Sequence, residues 1–248
     1  MEVRLSQAGA ATGTLWLKNR SGKPLLISAT AYDWDMSING TSAFFAPAAR
    51  KDSCAGWIVL NPRKFKVESA KQQMVSFIVT PPDVERGEYR GALIFNAQAA
   101  VRDRNDPTGL SGNVAVALYC NFPGVQRQGR ILKAESHYNA VQKTIESLLE
   151  VESTGTAHIR FRGSFAVREE NGKTVGLGGY DGNVVFPGRK LLLHGLCQRK
   201  LVPGKYVTES VLKFQAPLYA AGRNGLAEYG DGLTQLEAVS EFEVKQGE

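Results

Sequence analysis

Histidines, cysteines and closely spaced carboxylates are the side chains best suited to hold a metal or move a proton, and this chain has few of them. His137, His158 and His194 are scattered, with no HExxH pair or other metal-ligand spacing, so each reads as a strand or turn residue. Cys54, Cys120 and Cys197 are odd in number and form no CxxC pair, so at most one internal disulfide can form. Three buried thiols is the first reading, and a Cys54–Cys120 bridge within the first half is the alternative, whose geometry sequence cannot supply. Asp33 and Asp35 flank Trp34 and have the types for a carboxylate pair or a cation site, but two acids at a strand end more often mark a turn. The run from Gly176 to Gly182 lacks the lysine of a phosphate-binding loop and lies between strands, which predicts a flexible hairpin loop. No Gly-x-Ser-x-Gly elbow occurs, and Asn39-Gly40-Thr41 reads as a turn rather than a glycosylation site. The chain therefore reads as a binding protein and not an enzyme, with no catalytic residue, no metal and no cofactor.

Charge and hydropathy narrow the partners. The formal charge is +6, but Lys and Arg are spread over both halves without a tight block and interleaved aromatics, which argues against nucleic acid. Apolar residues make up 43% and charged residues 22%, the balance of a folded globular protein rather than a disordered one. Runs such as Leu191-Leu192-Leu193 and Ala115 to Tyr119 are too short to cross a bilayer, so no transmembrane segment is expected. Met1 is followed at once by the strand-like Glu2-Val3-Arg4-Leu5, with no secretory signal. A cytoplasmic protein and a mature exported domain both fit that start.

The elements that would position any binding residues come in two similar sets. A Ser-Gly turn (Ser21, Gly22), an Asn-Gly (Asn39, Gly40), a Pro-centred run (Asn61 to Val67) and Gly87-Glu88-Tyr89 recur as Ser153 to Gly155, Asn171-Gly172, Phe186 to Leu193 and Gly204-Lys205-Tyr206. Their separations shrink from about 133 to about 117 residues, as a second copy with shorter connections would give. Period-two runs dominate: Thr14 to Asn19, Leu25 to Trp34, Met74 to Thr80, Tyr89 to Phe95 and Val114 to Tyr119 in the first copy. Ile145 to Val151, His158 to Val167, Val184-Val185, Lys190 to His194, Tyr206 to Phe214 and Leu236 to Val244 follow in the second. Ser136 to Leu149 fits helical spacing, but its β-branched content makes a strand an equal reading.

About seven short strands per copy predict an all-β protein of two tandem immunoglobulin-like β-sandwich domains. The boundary falls near Phe122-Pro123-Gly124, giving domains 1–123 and 124–248. Tyr89 and Tyr206 sit where such sandwiches place a corner tyrosine. A polar segment from Val101 to Gly109 separates the last two strands of the first copy and is longer than a hairpin needs.

Taken in order, the features of residues 3 to 124 resemble a known family. They are Arg4 on a short first strand, Lys18-Asn19, Tyr32-Asp33-Trp34, Ser53 to Ile58 leading to Asn61-Pro62, Gly87 to Gly91, the long loop, and an alternating strand ending in Phe122-Pro123. This order is similar to the first domain of PapD-like periplasmic pilus-assembly chaperones. The resemblance implies a periplasmic or extracellular location. It also implies protein partners, subunits of a surface appendage held by β-strand addition through the last strand of the first domain. On this reading Val114, Val116, Leu118 and Cys120 form the donor face, while Ala115, Ala117 and Tyr119 pack inward, or the two faces exchange roles. Arg4 would contribute to a carboxylate anchor. The family's second anchor, a lysine, is absent between Ala97 and Phe122, and Arg102 and Arg104 come too early to replace it. The other reading is a structural or adhesive cell-surface protein using the sandwiches as a spacer. Neither reading supplies an oligomeric state.

Overall fold

The structure, a computed structural model, describes residues 1–5, 10–100, 111–181, 184–215 and 233–245. The described residues divide into two compact units, Met1–Asp35 with Ser42–Gly124, and Met36–Thr41 with the described residues from Val125 onward. Among the described residues every regular element longer than a single 3-10 turn is a strand.

In the first unit the strands are β1 (Glu2–Arg4), β2 (Ala11–Lys18), β3 (Leu25–Met36), β4 (Ser42–Phe45), β5 (Ile58–Asn61), β6 (Lys64–Val67), β7 (Gln72–Val79), β8 (Glu88–Ala99) and β9 (Ser111–Asn121). One sheet runs β1-β9-β8-β3-β4, with β6 also paired to β3, and the other runs β2-β7-β5. Alternation sets the core. On β7, Val75, Phe77 and Val79 are buried while Met74 and Ile78 are exposed, and Leu93, Phe95, Leu118 and Cys120 meet them from the other sheet. The Asn39-Gly40 turn joins β3 to β4, and Gly40 takes φ 78°, a left-handed conformation suited to glycine.

The second unit holds β10 (Gly129–Asn139), β11 (Thr144–Ser153), β12 (Ile159–Arg160), β13 (Arg162–Glu169), β14 (Thr174–Tyr180), β15 (Val184–Val185), β16 (Lys190–Gln198), β17 (Gly204–Gln215) and β18 (Leu233–Val244). Seven of these form one sheet ordered β10-β11-β16-β14-β13-β17-β18, beside the short pair β12-β15. The sheet folds over until its two edge strands touch, where the hydroxyls of Ser136 on β10 and Ser240 on β18 lie 2.8 Å apart. Inside run hydroxyl contacts from Ser147 to Tyr180 (2.6 Å) and from Tyr180 to Ser210 (2.7 Å), so these buried polar groups are satisfied.

Three local expectations need correction. Ser136 to Leu149, open between helix and strand, is the β10–β11 hairpin: Ile145, Leu149 and Val151 are buried on alternate β11 positions, a period that a helix cannot present to one core. The single strand expected over His158 to Val167 breaks at Phe161 into β12 and β13, which belong to different sheets. From Gly176 to Tyr180 the glycine-rich run is part of strand β14 rather than a loop, its glycines making room for a ring, and Gly182 lies outside the described residues. A side chain at Gly178 would collide with the Phe165 ring, and on neighbouring β16 a Cβ at Gly195 would lie 2.7 Å from that ring and 3.0 Å from the Gly179 carbonyl oxygen. Gly195→Ala is therefore expected to destabilise the protein by about 1–3 kcal/mol through overpacking, measured as a lower urea midpoint at unchanged slope.

Candidate functional site

The candidate site is the outer edge of β9. This strand pairs along its length with β8, antiparallel, from Gln98↔Ser111 to Glu88↔Asn121. On its other side β1 runs parallel and covers only Glu2↔Tyr119, Val3↔Cys120 and Arg4↔Asn121. Among the described residues no strand covers that side from Ser111 to Val116.

Backbone geometry identifies which groups are left over. In a strand, the N–H and C=O of one residue point to the same side, and successive residues alternate. The Tyr119 amide donates to Met1 O (2.9 Å) and Asn121 O accepts from Leu5 N (2.9 Å), so odd-numbered residues face the β1 side. Phe122 N donates to Gly87 O (3.1 Å), which places even-numbered residues on the β8 side. Ser111, Asn113 and Ala115 therefore present their amides and carbonyls to the open edge.

The side chains divide along the strand rather than by face. Val114 is 60% exposed, Val116 is half-buried against the core, and Leu118 and Cys120 are fully buried within it. As long as this core is intact, Leu118 and Cys120 are not available to a partner. On the opposite face Ala115 is exposed, Ala117 is half-buried, and Tyr119 is buried with its ring edge-on to Trp34 at 5.9 Å. Arg4 sits half-buried in register with Asn121 at the covered end of β9. Arg102, Arg104 and the segment from Val101 to Gly109 lie outside the described residues.

That covered end is fixed by a charged network. Arg90 on β8, 4% exposed, donates from Nε to Trp34 O (3.2 Å) and pairs with Asp35 (3.1 Å) and Asp52 (2.6 Å). Arg50 pairs with Asp35 at 2.7 Å. Fully buried Asp33 accepts from the amides of Ala48 (3.3 Å) and Arg50 (2.9 Å) and from the Ser53 hydroxyl. Asp33 and Asp35 are thus committed to holding the segment from Ala48 to Ser53 against the sheet. Both Tyr hydroxyls close corners: Tyr89 Oη donates to Glu85 O and Tyr206 Oη to Val202 O, each at 2.8 Å and four residues upstream. Desolvation is the largest influence on both phenols and raises them above the ordinary tyrosine value.

The histidines do not converge. His158 is buried, and its carbonyl accepts from Arg127 Nε at 2.9 Å. His194 lies 3.7 Å from Glu146, whose register partner on β10 is His137. Among the described residues no three His, Cys, Asp or Glu side chains are placed to hold a metal ion. Sequence reasoning did not name Asn113 and placed Ala115 only by its side chain, which is exposed rather than packed inward; the direction of their backbone groups follows only from the parity of β9 against β1.

No protein-family model and no curated protein matches this chain. Solved structures do match. The YadV chaperone aligns over 96% of each chain with TM-score 0.51 and 12% identity. The CupB2 chaperone of Pseudomonas aeruginosa aligns over 95% of each with TM-score 0.48 and 12% identity. A structure of Salmonella enterica SafA pilin in complex with the SafB chaperone covers 96% of this chain and 92% of that one, with TM-score 0.49 and 14% identity. The chain has the PapD-like fold of two immunoglobulin-like domains.

Two stability effects are expected. Arg90→Ala leaves Asp35 and Asp52 without this cation and is predicted to cost about 3–5 kcal/mol in urea unfolding. Tyr89→Phe and Tyr206→Phe each delete one corner hydrogen bond and are expected to cost about 1 kcal/mol, seen as separate losses of thermal midpoint.

Proposed function

We propose that this protein is a periplasmic chaperone of surface-appendage assembly that holds a protein subunit by strand addition at the open edge of β9. The observation that carries the reading is the row of amides and carbonyls at Ser111, Asn113 and Ala115, which no strand among the described residues pairs, beside the exposed Val114. An extended segment of a partner would satisfy those groups while its neighbouring side chains meet Val114 and Val116. The similarity in fold to solved chaperones supports the same reading. A surface spacer or adhesive module would have its edges covered, as an unpaired edge invites unwanted association.

The partner in this reading is an incomplete subunit with an exposed acceptor groove. Backbone pairing would supply much of the attachment, because Ser111, Gly112, Asn113 and Ala115 offer little side-chain surface. Binding in the periplasm would keep the subunit's apolar groove from aggregating before assembly. No reacting group is required of the chain.

Ala115→Pro tests this directly. Proline removes an amide that faces the open edge and leaves the pairing with β8 intact, a position at which edge strands tolerate it. The folded variant is expected to capture partners from the native envelope at least about tenfold more weakly than the wild type, while its thermal midpoint stays within a few degrees. Val114→Asp is expected to weaken capture as well. Capture unchanged in both variants contradicts strand addition through β9.

A further inference from the structure

Cys54 and Cys120 lie 66 residues apart in sequence (120 − 54) and meet in the core of the first unit. Cys54 precedes the 3-10 turn Ala55–Trp57, and its amide donates to Arg90 O at 3.0 Å, which fixes it alongside β8. Its sulfur occupies the space over Gly91, where a Cβ would lie only 3.3 Å away. Gly91 and Tyr89 are the register partners of Leu118 and Cys120, so Gly91 opens a path from Cys54 to the inward face of β9. Cys120 lies in the same packed core, close enough to perturb the Cys54 thiol, and neither residue has any exposed surface. Cys197, the third cysteine, belongs to the core of the second unit.

In the structure all three are thiols. We propose that Cys54 and Cys120 are a disulfide site, closed when the chain folds in the presence of a disulfide oxidant such as glutathione disulfide or a thiol–disulfide oxidoreductase. Two S–H bonds are lost and one S–S bond forms. The oxidant's own S–S bond takes up the two electrons and two protons and leaves as two thiols. The bond would tie the buried half of β9 to the segment that enters β5, so the strand with the open edge is held from behind.

Timing follows from the surroundings. The neighbouring Cys120 side chain, followed by burial, pushes the Cys54 thiol well above its ordinary value, so little thiolate exists in the folded chain. Oxidation therefore belongs to folding, before the core closes, and reduction of the folded protein is slow for the same lack of access. This inference does not rest on strand addition, since the thiol count is the same whether or not a partner binds β9.

The test is to refold the full chain from denaturant with a mixture of reduced glutathione and glutathione disulfide, then measure intact mass and titrate thiols under denaturing conditions. The expected product has one titratable thiol instead of three and is lighter by about 2 Da than the reduced chain. The mass loss should persist in Cys197→Ala and vanish in Cys54→Ala. Three titratable thiols in the refolded wild type, or a bond mapped by proteolysis to Cys197, overturns the assignment. If Cys54→Ala fails to fold, the wild-type peptide map alone decides between these outcomes.

Discussion

The backbone groups of a sheet strand lie in two rows, and among the described residues only one row of β9 is paired along the whole strand. β8 takes the even-numbered row, while Met1 and β1 take the odd-numbered row only from the Ala117 carbonyl onward. The rest of the first unit holds this half-paired strand in place. Leu118 and Cys120 anchor it in the core, Tyr119 packs on Trp34, and Arg90 ties its partner strand to Asp35 and Asp52. The anchored half is buried, and the half from Ser111 to Ala115 is exposed.

The second unit handles the same constraint differently. Its seven-stranded sheet brings the first and last strands together, and the hydroxyl contact between Ser136 and Ser240 bridges them. An edge treated this way offers little to an incoming strand. Among the described residues, the first unit thus leaves one edge of its larger sheet partly uncovered, whereas the second brings its two edge strands together.

Much of the fold was legible because two periodicities carry it. Alternation marked the strands, and the repeated Asn-Gly and Gly-x-Tyr signs fell at matching places: Asn39-Gly40 and Asn171-Gly172 turn hairpins, and Tyr89 and Tyr206 stand near the start of the long strands β8 and β17. The errors came where packing overrode local preference. Glycine suggests a loop, yet Gly178 and Gly195 lie in strands because the Phe165 ring needs the space. Strand β9 itself was visible, but not which of its residues are exposed. Alternation predicts a face, whereas exposure along β9 changes with distance from the core, so Val114 and Leu118 share a face and differ completely in access. Backbone donors at Asn113 and Ala115 carry no side-chain signature at all.

The central claim is that the odd-numbered row of β9 is open before its covered end, and amide hydrogen exchange resolved by residue tests it most directly. In the free protein the amides of Asn113 and Ala115 should exchange fast, while those of Val114, Val116 and Tyr119 are protected. Protection of Asn113 and Ala115 equal to that of their even-numbered neighbours would contradict an open edge and the function built on it.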